Sequence, residues 1–175
     1  IDSIRTVFEE RSDKLREQKF RVTFLSPNEA GTHLECKAYS NQEGAQPRSL
    51  NGDTPNPFAK GGSTAAGLLW SRDGINYSVV EDTDKEVNSQ NPGFKFLRDG
   101  QENHLKAILC YKIYDHQENS LLGIICVDTN IDNAFNDSIR YHPNVLEAFG
   151  QRIIFEARFA YMKDKLQRNS GDKLK

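Results

Sequence analysis

Two apolar runs stand close together in the second half of the chain, Ala107 to Tyr114 (AILCYKIY) and Leu121 to Asp128 (LLGIICVD). Both are strand-length and rich in β-branched and aromatic residues, and the polar stretch Asp115 to Ser120 between them offers turn chemistry, so the pattern predicts a β-hairpin. In the first run Ala107, Leu109, Tyr111 and Ile113 share one face while Ile108, Cys110, Lys112 and Tyr114 share the other. Neither face is consistently polar, and the second run is apolar on both faces until Asp128. A hairpin of this kind needs cover on both sides, which puts it in the middle of a sheet with other chain above and below. Which face each cysteine takes depends on the register, because a slip of one residue exchanges the faces.

The rest of the pattern supplies the cover. Ile4, Val7, Phe8 and Leu15 form an apolar stripe over Ile1 to Gln18, interrupted by Arg11, and predict an amphipathic surface helix. Phe20, Val22 and Phe24 alternate with Arg21 and Thr23 in a first strand, and Leu34, Cys36 and Ala38 alternate with polar residues in a second. That first hairpin has one mostly polar face and reads as less enclosed. Residues 40–62 are irregular and rich in Asn, Gly and Pro, serving either as a functional loop or as a surface excursion. A short helix capped by Ser63 runs to Ser71, Asp73-Gly74 ends it, and Tyr77 to Val80 is a short strand left by the acidic run Glu81 to Glu86. Asn88 to His104 is irregular. After a loop from Asn130 to His142, a long helix over 143–168 opens on Pro143, with a stripe through Val145, Leu146, Phe149, Ile153, Ile154, Ala157, Ala160 and Tyr161.

Composition narrows the partners. At 175 residues the chain reads as a single domain over 1–175. A formal net charge of -2 gives no electrostatic case for nucleic acid. The longest apolar run, Leu121 to Val127, is far short of the roughly 20 residues of a membrane span, so no membrane contact is expected. The opening on Ile1, without Met or a signal-peptide pattern, reads as an excised fragment of something longer. Three cysteines, Cys36, Cys110 and Cys126, all fall in predicted strands, which predicts buried thiols in a reducing compartment and no structural zinc.

In this order of elements the run from Phe58 to Gly74 (FAKGGSTAAGLLWSRDG), followed by Tyr77 to Asp82, resembles the middle of a GAF domain. Ile108 to Ile113 is similar to that family's fourth strand, Leu122 to Asp128 to its fifth, and the helix after Pro143 falls where the family's closing helix falls. The loop over residues 40–62 is longer than many members have. The resemblance implies an α+β fold with a central antiparallel sheet of five or six strands. The terminal helices would pack on one face, with loops and a short helix covering a small-molecule pocket, or its vestige, on the other. It further implies a regulatory module of cytoplasmic signalling or transcription-control proteins, PAS-like in role and often dimeric through its terminal helices, with no catalysis of its own.

The family's specific chemistries find little footing. The Asn-Lys, Phe and Asp-Glu motif of cyclic-nucleotide-binding members is missing, and no cysteine lies in the covering segment where bilin-binding members attach their chromophore. The free-methionine sulfoxide reductase of the family works with closely grouped cysteines, and the sequence spacing here does not match. No Walker-type loop, Gly-x-Ser-x-Gly or His-Glu-x-x-His occurs, so no catalytic residue, metal ligand or required cofactor is assigned. Gly61-Gly62 either presents backbone N–H groups to an anion or serves loop flexibility. His104, at the entrance to the fourth strand, is a candidate polar pocket group or haem ligand. Phe58, Trp70, Tyr77, Phe94 and Phe96, with His104 and Lys112, are the candidate residues around a planar or amphipathic metabolite, unless the rings fill that space themselves. Phe155 and Phe159, one turn apart and off the main stripe of the last helix, are the candidate contacts of a homodimer, the basis of a second reading as a ligand-free interaction module.

Overall fold

The computed structural model describes residues 1–11, 19–40, 56–90, 94–97, 100–136 and 142–171. Helix α1 (Asp2–Arg11) is followed by strands β1 (Phe20–Pro27) and β2 (Leu34–Tyr39), helix α2 (Ala65–Ser71), strand β3 (Tyr77–Val80) and helix α3 (Thr83–Val87). A 3-10 turn (Gln101–Asn103), strands β4 (Ala107–Asp115) and β5 (Ser120–Thr129) and helix α4 (His142–Gly171) complete the order. The part of the expected first helix that contains Leu15, and most of the loop over 40–62, lie outside the described residues.

The five strands form one antiparallel sheet in the order β2-β1-β5-β4-β3, so the hairpin β4–β5 is interior, as its two apolar faces require. Its register places Leu109 opposite Val127 and Cys110 opposite Cys126, with an irregularity between Ile113 and Tyr114. Gly123, on β5, lies so close to β1 that an added Cβ would collide with the Phe24 ring and the Leu25 carbonyl oxygen. Only glycine allows that approach.

The two sheet faces carry separate cores. On one, Ile4 and Phe8 of α1 and Leu146 of α4 pack with Phe20, Val22, Leu109, Ile113, Ile125 and Val127, and Val145, Phe149, Ile153 and Ile154 line the margin. Phe135, from the connection after β5, enters this layer edge-on to Phe8, with ring centroids 6.2 Å apart. On the other face Ala65, Ala66 and Leu69 of α2, with Phe94 and Leu105, cover Leu25, Leu34, Ile108, Cys110, Ile124 and Cys126. The α+β, GAF-like layering expected of the chain is therefore present: terminal helices on one side, a short helix and loops on the other.

Local differences from the sequence reading have simple causes. Thr64, not Ser63, caps α2; its Oγ accepts the Gly67 amide at 3.0 Å and donates to the Pro57 carbonyl at 3.0 Å. The acidic run after β3 is a helical turn, because Asp82 accepts the Lys85 amide at 3.0 Å and starts it. In α4 the packed stripe ends at Ile154. From Phe155 to Lys163 every residue except Arg158 is exposed, Ala157, Ala160 and Tyr161 included. A helix of 30 residues is about 45 Å long, more than the sheet it lies on can cover.

Candidate functional site

The face of β1 that looks polar in the sequence is not a solvent face. Alternation sends Phe20, Val22 and Phe24 towards the terminal helices and Arg21, Thr23 and Leu25 to the opposite side. There they floor a partly open cavity of about 130 Å³. Thr23 is buried and Arg21 half-buried. Asp128 joins them because β5 pairs with β1 in the register that sets Arg21 opposite Asp128. Both Nε and Nη2 of Arg21 donate to the same oxygen, Oδ2 of Asp128, at 3.0 and 2.9 Å. Burial raises the Asp128 carboxyl above the usual carboxylate range, and the Arg21 guanidinium acts in the opposite sense.

Cys110 and Cys126 continue the floor, and Cys36 on β2 also lines the cavity. The expectation of ungrouped cysteines is corrected here, since Cys110 Sγ and Cys126 Sγ are 2.9 Å apart. Sixteen positions of sequence separate them, and only the hairpin register brings them level. The contact with Cys126 and complete burial push the Cys110 thiol well above its ordinary value, and burial pushes the half-buried Cys36 upward too.

The roof comes from the opposite side. Phe58, Thr64, Ala65, Ala66, Phe94, Gln101 and Leu105 close over the floor. The roof is fastened to the sheet edge at β2, where the Leu34 amide donates to the Phe58 carbonyl at 3.0 Å and His33 bridges to Ala59. His33 lines the cavity as well. Its Nδ1 is 3.1 Å from the Thr32 hydroxyl, while its buried Nε2 has no hydrogen-bond partner among the described residues and stands 3.8 Å from the Glu35 carboxylate. A buried polar atom in that state is one that a ligand could satisfy.

Of the residues singled out from the sequence, Phe58 and Phe94 line the cavity. Trp70 and Phe96 pack into the same core without lining it, Phe96 edge-on to Phe94 with centroids 5.6 Å apart. These two rings fill space. Tyr77 is exposed on the edge strand β3, and His104 is exposed after the 3-10 turn. Lys112 is buried away from the cavity, with Nζ donating to the Arg72 carbonyl at 2.7 Å; burial pulls its pKa below the ordinary lysine value, against the effect of Asp73. The Gly61 and Gly62 amides donate to Gly67 and Ala59 carbonyls, each at 2.8 Å, so they tie the loop together and face no anion. The sequence reading missed Arg21, Asp128, His33 and Gln101. The one signal available was a charged residue near the end of each of two strands, and only their pairing makes it meaningful.

Among the described residues no group of three or more His, Cys, Asp or Glu is placed to hold a metal ion, and no helix is long and apolar enough to cross a membrane. No family model and no curated protein matches the chain. Among solved structures it is similar to the crystal structure of a protein named as a GAF sensor, from Burkholderia vietnamiensis. The identity is 15%, the match covers 86% of this chain and 85% of that one, and the TM-score is 0.49. The fold is GAF-like. That description rests on the chain's own layering, with α1 and α4 on one face of the sheet and the cavity on the other.

Proposed function

We propose that this is a non-catalytic sensory or regulatory domain of a cytoplasmic signalling or transcription-control protein, which binds a small molecule in the cavity and passes its occupancy to α4. The observation that carries the reading is the cavity itself, with apolar walls and a few converging polar groups, Arg21, Asp128, Thr23 and His33, which is the composition of a small-molecule site. Its volume of about 130 Å³ is close to the roughly 150 Å³ that holds a benzene molecule. The ligand is accordingly a single-ring or short-chain amphipathic metabolite rather than a nucleotide. Strand β4 connects the two sides, since Ile108 and Cys110 border the cavity while Leu109 and Ile113 pack towards the layer that holds α4. A ligand that favours one arrangement of that strand shifts the helix with it.

The test is thermal unfolding of the purified domain against a panel of small ring-containing and short-chain metabolites, alongside an Ala66→Phe variant that fills the cavity. A ligand should raise the melting temperature of the parent in a concentration-dependent way and leave the variant unmoved. An experimental structure with the Phe58 and Phe94 side chains packed solid across that face would remove the reading.

A second reading, a ligand-free dimerisation module, is favoured by one observation. Phe155 and Phe159 on α4 are 68% and 60% exposed, beside Tyr161 and Met162 at 65% and 53%. Such a cluster of large apolar side chains is what an interface between two copies would use.

A further inference from the structure

Cys110 in β4 and Cys126 in β5 stand directly opposite one another across the antiparallel ladder, with their Sγ atoms 2.9 Å apart. A disulfide bond is about 2.05 Å long and is made between residues whose Cα atoms are about 4.4 to 6.8 Å apart. Residues directly opposite in an antiparallel pair sit about 4.5 or 5.5 Å apart at Cα, according to which of the two pairing types they occupy. Both values fall inside the window, so the register alone satisfies the backbone requirement. What remains is a small rotation of side chains that already touch.

We infer that Cys110 and Cys126 are a modification site, a dithiol that a small hydroperoxide converts to a cross-strand disulfide in the floor of the cavity. Both residues line the cavity, and it is the route to them, since Cys110 is fully buried and Cys126 only 9% exposed. The chemistry balances with the peroxide as the one oxidant. One Sγ attacks a peroxide oxygen, the O–O bond breaks, an alcohol (or water, from hydrogen peroxide) leaves with the thiol proton, and that cysteine becomes a sulfenic acid. The second Sγ then attacks the oxidised sulfur, the S–S bond forms, and hydroxide leaves with the second thiol proton as water. Two thiols have lost two electrons, and the hydroperoxide has gained them. Burial keeps the thiolate scarce, so the reaction is slower than that of a free cysteine. This inference stands on the hairpin register and does not require that a metabolite bind in the cavity.

The experiment uses the whole chain, reduced and then exposed to excess hydrogen peroxide without denaturant. Remaining thiols are alkylated in denaturant and the peptides mapped by mass spectrometry. The expected product is a peptide containing Cys110 linked to one containing Cys126, reversible by dithiothreitol and formed to the same extent in a Cys36→Ser variant. The proposal is overturned if Cys110 and Cys126 remain fully alkylatable after Cys36 has been oxidised. It is equally overturned if either is linked only to Cys36 or converted to a sulfinic acid without pairing. Because the decisive measurement is made on the parent protein, no core substitution has to fold.

Discussion

Arg158, in the part of α4 that outruns the sheet, holds Asp115 at the end of β4 with two hydrogen bonds, Nε to Oδ2 at 2.9 Å and Nη2 to Oδ1 at 2.5 Å. Asp115 is only 2% exposed and also accepts the Gln117 and Glu118 amides at 3.0 and 3.3 Å. It therefore fixes the β4–β5 turn and the helix at once. Among the residues from Phe155 to Lys163, Arg158 alone is not exposed, so this pair attaches that segment of α4 to the domain.

Replacing Arg158 by Met should free that part of the helix. Amide exchange between Phe155 and Lys163 is expected to accelerate while that of Leu146 to Phe149 stays as it was. The pH dependence has a definite sign. The Arg158 hydrogen bond, followed by the turn amides, holds the Asp115 carboxyl well below its usual range. Its folded-state pKa is depressed, so the stabilisation is fully present above the ordinary carboxylate value and is lost progressively as pH falls from there through the depressed folded value. In urea unfolding the parent should exceed the Arg158→Met variant at pH 7, and the gap should begin to narrow only below about pH 4 and close as pH falls through the depressed folded value. A gap of constant size would show that packing, not charge, is what Arg158 supplies.

Arg21 and Asp128 behave differently because burial dominates there. Removing one partner of a fully buried pair costs about 3 to 5 kcal/mol. Here the side chains are 26% and 14% exposed, so Arg21→Met should cost about 1 to 3 kcal/mol at pH 7 after allowing for solvent screening. The folded-state pKa of Asp128 is already raised, so its contribution is greatest in acid and is lost as pH rises through that value. Without Arg21 the carboxyl shifts further up. The cost of Arg21→Met should accordingly shrink at pH 4, where the carboxyl takes a proton, and the double variant Arg21→Met/Asp128→Leu should recover most of the loss at pH 7. Denaturant midpoints at the two pH values check both statements.

Gly67 in α2 is a steric requirement. A Cβ there would lie 2.7 Å from the Ala59 carbonyl oxygen and 3.0 Å from that of Pro57. Gly to Ala inside a helix normally gains up to about 1 kcal/mol, but overpacking costs about 1 to 3 kcal/mol. Gly67→Ala should therefore destabilise by about 1 to 2 kcal/mol net. Thr64→Ala, which removes the cap of the same helix, should cost about 1 kcal/mol. Chemical denaturation of both variants measures this, and a stabilised Gly67→Ala would mean that the roof stands further from residues 57–59.

Phe155→Glu with Phe159→Glu should change stability by less than about 0.5 kcal/mol, because neither ring packs on the domain. If α4 joins two copies, light scattering should show the mass falling from two chains to one. An unchanged mass in a variant of a dimeric parent removes this face as the interface.

Much of the architecture was legible because hydrophobic period reports directly on which faces are covered. The double-faced run from Ala107 to Val127 could be satisfied only inside a sheet, and β5 is indeed its central strand. Tyr77–Val80 was found in full, and Phe155 and Phe159 were correctly placed off the packed stripe of α4. The site was far less legible. Five of the seven residues read as pocket groups do not line the cavity, because an aromatic ring in a covering segment can face in, pack sideways or stand at an edge with the same local sequence.

The sequence by itself determined that this chain folds as layers about a hairpin apolar on both faces, since water excludes every other place for such a hairpin. Only the tertiary structure decided what that hairpin carries. Pairing β5 to β1 sets Asp128 against Arg21, and pairing β5 to β4 sets Cys126 against Cys110. Each partnership depends on a register between strands, whether distant or close in sequence, 107 positions apart for the ion pair and 16 for the thiols. A one-residue slip would dissolve both while leaving the hydrophobic pattern intact.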